Sequence, residues 1–380
     1  MSTLDWVVVG GGPHGLCAAR ALQATGAQVR IVDPSGALLD RWKSRASAVA
    51  MTWMRSPVSH HLDWHPTELH HFLHGKEHAD VAKLARPYLR PMHEAFLRQT
   101  RVMIDRDRLE EVVIAGRVGS LHDDGNGLVV EGEGVSLRTR RVLLATGSNQ
   151  MRIPDWAQRL RHEGARVSHV FEAEAELATD ILGGGISAVQ RAIEVWRQTR
   201  QTVRLWVRRP IQVAEFDYDQ ALARARFVGR WSRQDETQRL TYLDRTSARG
   251  SVPPGLWARL SNAMRRGRVQ LHVGELRVER ADTSGRLRLT GTDGTVESGG
   301  LTLATGFEPE QVGGWLKSSV ESLGLPVRAN LPRLEDDMHW GRGVYVSGPL
   351  ARLRLGPMAG NIVGARWAAS LLPGVKMQPY

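Results

Sequence analysis

Two glycine clusters are the residues most plainly equipped for chemistry. Gly10-Gly11-Gly12-Pro13-His14-Gly15 spells G-x-G-x-x-G directly after the apolar run Val7-Val8-Val9, and Gly183-Gly184-Gly185-Ile186-Ser187-Ala188 spells G-x-G-x-x-A after Asp180-Ile181-Leu182. Such loops bind dinucleotides. Gly10 makes the tight turn, Gly12 lets backbone approach a pyrophosphate, and Gly15 lets helix and strand pack closely; Gly183, Gly185 and Ala188 repeat these roles, with Ser187 in the first helical turn. The helix that follows each loop points its N-terminus at the phosphates. The two units end differently. Gln28 to Val32 closes on Asp33, a carboxylate placed to accept hydrogen bonds from ribose hydroxyls and to repel a 2′-phosphate. Thr202 to Val207 closes on Arg208 and Arg209, guanidinium groups suited to the 2′-phosphate of NADPH.

These loops need strands and helices to hold them. Arg141 to Leu144 and Leu301 to Leu303 read as matching apolar strands, each running into Ala-Thr-Gly: Ala145-Thr146-Gly147 and Ala304-Thr305-Gly306. A β-meander precedes each, over Leu128 to Arg138 after a turn at Asp123 to Gly127, and over Leu276 to Val296 broken at Asp293-Gly294. The pattern predicts an α/β protein with two Rossmann-like FAD/NAD(P)-type domains, the second inserted in the first and each carrying a meander. Residues 1–150 and 300–380 form the first domain and 151–299 the second, with a helical insertion over about 215–265. A last buried strand, Gly343 to Gly348, leads to Gly356-Pro357 and a terminal helix.

With those motifs in order, nearly the whole chain resembles flavoproteins with two dinucleotide-binding domains, and within them the N-hydroxylating and flavin-containing monooxygenases. The resemblance implies FAD in the first cradle, bound through Gly10, Gly12, Gly15 and Asp33. It implies NADPH in the second, bound through Gly183, Gly185, Ser187, Ala188, Arg208 and Arg209. Trp42 matches a segment that packs along the flavin, Thr146 and Gly147 lie at a domain crossing, and Gly348, Gly356 and Pro357 sit near the flavin ring, facing the positive end of the terminal helix. The implied activity is NADPH-dependent hydroxylation of a small molecule, at an amine or amino-acid nitrogen, by O2 through a flavin C4a-hydroperoxide. One departure stands out: the family's frequent Gly-Asp after the last strand is Gly348-Pro349 here. Two other readings use the same fold, an NAD(P)H-dependent flavin oxidoreductase without oxygen insertion and a non-catalytic nucleotide sensor.

The loop Met54 to His65 supplies the remaining candidates: Arg55 and Ser56 as pocket residues, and His60, His61 and Asp63 to assist deprotonation of an amine. His70, His74 and His78 recur every four residues, a spacing that would put them on one helix face. No cysteine stands near to complete a structural metal site, and the reading is of no metal.

Composition narrows the rest. Cys17 is the only cysteine in the 380 residues, which excludes a disulfide framework and any two-cysteine redox centre within the chain. The net charge of +11 comes from arginines scattered along the sequence, without the clustered face of a nucleic-acid binder. One local patch, Arg224, Arg226, Arg230, Arg233 and Arg239, suits an anionic substrate or a carrier protein. No run approaches the roughly 18 apolar residues of a membrane span. With the first strand already at Trp6, the expectation is a cytoplasmic enzyme without a leader. Replacing Arg208 and Arg209 together by alanine is expected to weaken NADPH far more than NADH, by about 2–4 kcal/mol for one or two lost charge-assisted phosphate contacts. Binding titrations with both nucleotides check this, and an unchanged preference would move the phosphate site elsewhere.

Overall fold

The apolar run of β1 (Leu4–Val9) lies parallel between β2 (Val29–Asp33) and the long strand Val135–Leu144, in the middle of a sheet whose two faces are both covered. Central parallel strands read as continuous apolar runs for this reason. Val113–Ala115 extends the sheet beyond β2, and Val344–Val346 extends it on the other side, with His339–Gly341 antiparallel at the edge. Arg117–Asp123 and Leu128–Glu133 continue antiparallel from the long strand as the first meander. A computed structural model describes residues 3–148, 150–172, 177–223, 225–245 and 250–376 of this chain. Helix α1 (Pro13–Gln23) packs between the sheet and the terminal helix Ile362–Leu371. Its fully buried Leu16 and Leu22 each contribute about 1.5–3 kcal/mol of apolar burial. Ala18, Ala19 and Ala21 keep the helices close.

A second, all-parallel sheet runs Val269–Val273, Val203–Val207, Asp180–Leu182, Leu301–Leu303, Val167–His169. Its central strand begins on a buried carboxylate. Asp180 accepts both guanidinium arms of Arg204 (2.7 and 2.6 Å), the Trp206 indole N–H (2.9 Å) and the Ser298 hydroxyl (2.6 Å). Ser298 ends the second meander, so its bond ties that meander to the sheet. The meander consists of Arg277–Arg280, Leu287–Gly291 and Gly294–Ser298, paired antiparallel in that order. Trp206, Leu287, Leu289, Leu301 and Leu303 form the core between meander and sheet. On the other face lie the helices Ile186–Thr199 and Pro254–Arg265, joined through Val189, Val195, Leu260 and Ala263.

The first sheet draws strands from both ends of the chain and the second from the stretch between. The two crossings are bonded to each other: Arg152 N–H donates to Gly306 O (2.9 Å) and Glu308 N–H to Gln150 O (2.8 Å). Helix α2 (Asp40–Ala48) braces them, because Arg45 donates to Ser148 O (3.1 Å) and lies 4.2 Å over the Phe307 ring. Burial first, and the neighbouring charge of Arg41 second, bring the Arg45 guanidinium down to about 10.

Two boundaries differ from the sequence expectation. Leu301–Leu303 completes the second sheet, so the return follows it rather than starting at 300. Pro254–Arg265 belongs to the second sheet's helical layer, which shortens the insertion expected over 215–265. Within that insertion, Ala225–Ser232 and Glu236–Arg245 lie against the C-terminal segment. Of the basic patch, Arg224 and the Arg226 side chain lie outside the described residues. Trp231 is 1% exposed, donates to Leu353 O (3.2 Å) and packs against Phe227 and Tyr242. Trp231→Ala is expected to cost about 3–5 kcal/mol, the range for a large buried aromatic. Urea denaturation reads this as a lower midpoint, and a shift below about 1 kcal/mol would show that the excursion is not part of the cooperative fold.

Candidate functional site

The first cradle is shaped by contacts that only glycine permits. Gly10 has φ +112°, and a Cβ there would collide with the Ala145 carbonyl oxygen; a Cβ on Gly15 would collide with Gly10 O. A Cβ on Gly12 would meet nothing within 4 Å, so the loop opens toward free space there. Gly12 also begins α1 without a side-chain cap, leaving the first-turn N–H groups available to an anion. Asp33 stands beside this opening. It accepts the Gly11 N–H (2.8 Å) on one oxygen and the Ser35 N–H (3.0 Å) and hydroxyl (2.7 Å) on the other. A carboxylate has about four lone-pair sites, which leaves capacity for a ribose hydroxyl.

The second cradle repeats this geometry. Gly183 has φ +149° and abuts the Ala304 carbonyl as Gly10 abuts Ala145. Gly185 begins the helix Ile186–Thr199, again uncapped by a side chain, with Ser187 half-buried and Ala188 buried in its first turn. Strand register pairs Val9 with Val32 and Leu182 with Trp206, so Val207 occupies the place of Asp33. Arg208 and Arg209 come directly after, both exposed and without an ion pair among the described residues. The anion-repelling charge is therefore missing from this cradle and two cations stand at its edge. Gly250 approaches from outside, its Cα 3.8 Å from where a Gly185 Cβ would lie.

The loop after α2 serves a different purpose from the one its residue types advertise. His61 is fully buried; its Nε2 donates to Pro66 O (3.2 Å) and its Nδ1 accepts the Asp63 N–H (3.1 Å). Asp63 pairs with Arg20 of α1 (2.7 Å) and Arg106 (3.4 Å) and accepts the Trp64 N–H and the Gln99 amide. His61 is spent on bonds within the loop, and Asp63 on holding the loop to α1 and the helix His93–Arg106. His60 is half-buried and its ring makes no hydrogen bond among the described residues. Burial, then the charge of Arg366, brings His60 down to about 4, so it is neutral near pH 7.

Arg55 binds across the domain boundary rather than into open space. It donates to Glu215 O (3.1 Å), Ala214 O (3.1 Å), Ser251 O (3.3 Å) and Ser251 Oγ (2.6 Å), and pairs with Asp217 (2.5 Å). Arg90 supports it, donating to Arg55 O and pairing with Glu215 (2.5 Å). Nothing in the motifs flags Arg90; it is found only through the fold. Ser56 is half-buried beside this clamp. The Trp42 indole N–H donates to His93 Nε2 (3.0 Å), fixing the ring against Phe96.

At the C-terminal end, Gly348 lies buried against His14, whose Nδ1 shares a hydrogen bond with Ser347 Oγ (2.9 Å). Burial pushes the His14 imidazole down to about 4, with the Gly360 backbone opposing, so this motif residue is neutral near pH 7. Gly356 (φ +80°) packs under Phe227 and Trp231, with Pro357 half-buried beside it. Thr146 and Gly147 (φ +67°) begin the first crossing. Of the histidine series, His70 and, at the C-cap of the helix Glu68–Leu73, His74 do come together, ring centroids 4.6 Å apart, but His78 lies in a separate turn, stacked on Phe72. Cys17 is buried, its thiol pushed up to about 12 by burial and donating to Leu62 O.

Residues 4–361 match the family model described as pyridine nucleotide-disulphide oxidoreductase. No curated protein sequence matches the chain. Among solved structures, an ornithine N-hydroxylase from Kutzneria sp. 744, in complex with reduced FAD, NADP+ and L-ornithine, has a TM-score of 0.72 at 14% identity, covering 98% of each chain. A cadaverine monooxygenase from Erwinia amylovora, bound to FAD, has a TM-score of 0.70 at 14% identity, over 100% of this chain and 96% of that one. A thioredoxin reductase from T. acidophilum has a TM-score of 0.58 at 13% identity, over 98% of each. At these identities the likeness is one of fold. No helix among the described residues is long and apolar enough to cross a membrane.

The Asp63 network has a pH signature. Burial alone would raise its carboxyl, but Arg20, the Trp64 N–H and Arg106 overcome that and hold it below the usual carboxylate range. Its contribution to stability is therefore present above the unfolded value of about 3.9 and is lost as pH falls through the lower folded value. Asp63→Asn is expected to cost about 1–3 kcal/mol near pH 7, because it removes one of the two carboxylates, Asp63 and Asp107, that pair with the buried Arg20. The gap from wild type should narrow on acidification below about pH 4; a gap independent of pH in urea denaturation would contradict the assignment.

Proposed function

Because the chain belongs to the pyridine nucleotide-disulphide oxidoreductase family of FAD- and NAD(P)H-dependent enzymes, we propose that it is an NADPH-dependent monooxygenase acting on a small amine. The observation that carries the reading is the pair of matched cradles with opposite charge at their edges, in a chain whose one cysteine cannot form a dithiol. Both cradles fit their groups: the backbone comes together where a Cβ would block it, and each following helix starts uncapped. Gly10, Gly12, Gly15 and Asp33 hold FAD, and Gly183, Gly185, Ser187, Ala188, Arg208 and Arg209 hold NADPH. FAD held there would supply a hydride acceptor for the nicotinamide and the electrons for reducing O2, one oxygen atom going to the substrate and the other to water.

The residues of this chain position and shield. Trp42, held by His93, and Gly348, held against His14, wall the flavin side, with Thr146, Gly147, Gly356 and Pro357 around it. Arg55 fixes the two domains against each other, with Ser56 beside it, which keeps the nicotinamide site at a set distance from the flavin site. His61 and Asp63 act through loop structure. His60, neutral and with its ring free, is the loop residue available to hydrogen-bond an amine; with a value near 4 it is too weak a base to take the amine's proton outright. The ornithine and cadaverine enzymes of the same fold set the substrate class to try first.

The test is to supply the flavin-loaded protein with NADPH, O2 and ornithine, lysine or cadaverine, and to measure NADPH consumption and hydroxylamine product together. The expected result is amine-dependent product matched to NADPH used. NADPH oxidation with no hydroxylated product from any amine would leave the simpler flavin oxidoreductase as the reading.

A further inference from the structure

Where the helix Glu236–Arg245 lies against the C-terminal segment, a cavity of about 260 Å³ opens to the surface. It shares no residue with either glycine cradle. Three arginines line it, Arg239, Arg333 and Arg354, against two glutamates, Glu236 and Glu335. The rest of the wall is largely apolar, formed by Pro326, Leu334, Trp340 and Leu353.

The charges are unevenly satisfied. Arg333 pairs with Glu236 at 2.6 Å, and Glu335 lies 3.5 Å from His339. Arg354 is 9% exposed, yet its carboxylate partner Asp336 (2.9 Å) is 99% exposed, where water screens the pair. Its other arm donates to Ser232 Oγ (2.7 Å). Arg239 has no carboxylate partner among the described residues and donates only to Leu353 O (3.1 Å). The buried Nε atoms of both Arg239 and Arg354 lack any acceptor. The Arg239 charge is matched by no carboxylate among the described residues and the Arg354 charge only by an exposed one, so the cavity wall carries a surplus of positive charge that an anion would offset.

We propose that this cavity binds a small organic monoanion, a carboxylate on a short aliphatic or aromatic body. The carboxylate bridges Arg239 and Arg354, and the body lies against Trp340 and Leu334. The volume is below the roughly 300–1,000 Å³ of pockets for drug-sized ligands, which limits the body to a single ring or a short chain. A phosphate dianion fits worse, because Glu236 and Glu335 stand at the same wall and Arg333 is already committed to one of them. Leu353 O also accepts the Trp231 indole, so an occupant joins the helical excursion to the turn that leads into Gly356 and Pro357.

Benzoate and hexanoate titrated into the flavin-loaded full chain by calorimetry test the site, with inorganic phosphate as the comparison. The expected result is saturable binding of a carboxylate at one site per chain, with phosphate at least about tenfold weaker. Arg239→Gln should weaken it by at least about tenfold, the loss of one charge-assisted hydrogen bond. Leu334→Trp, which fills the cavity without changing charge, should abolish it; near-UV circular dichroism confirms that each variant is folded. Absence of saturable binding, equal affinity for phosphate, or unchanged affinity in both variants would overturn the proposal.

Discussion

A backbone contact too close for any side chain places both cradles. Gly10 presses on the Ala145 carbonyl and Gly183 on the Ala304 carbonyl, each at a positive φ that L side chains rarely adopt. Each glycine is thereby set against the strand that leaves its sheet through Ala-Thr-Gly. The glycine loop and the strand that leaves toward the other sheet are positioned as one unit. The crossings then bond to each other, and Arg45 braces them from α2.

That constraint explains what is legible in the sequence. A turn with positive φ and a strand-to-loop contact without room for Cβ both demand glycine, so Gly10, Gly15 and Gly183 announce themselves by residue type. Parallel burial makes Trp6–Val9 and Leu205–Val207 continuous apolar runs, and Asp33 and Arg208 follow from counting along the second strand of each unit. The limits of the second sheet are less legible. Leu301–Leu303 pairs with strands far earlier in the chain, and Pro254–Arg265 is distinguished from the excursion before it by the face it buries.

Side-chain partnerships across long sequence separations are not legible at all. Histidines and an aspartate in a loop look like acid-base chemistry, but His61 and Asp63 are consumed by Pro66, Arg20, Gln99 and Arg106. Arg55 reads as a pocket residue until Asp217 and Ser251 meet it from the other domain. Such assignments depend on which surfaces the fold brings together, and residue type alone carries no record of that.

In the proposed function, charge is what sorts two dinucleotides between two nearly equivalent cradles, with Asp33 at one and Val207, Arg208 and Arg209 at the other. The most direct measurement is a crystal structure of the protein grown with FAD and NADP+. It should show the FAD ribose against Asp33 and the NADP+ 2′-phosphate within hydrogen-bonding distance of Arg208 or Arg209. NADP+ in the Gly10 cradle, or a 2′-phosphate held by neither arginine, would contradict it.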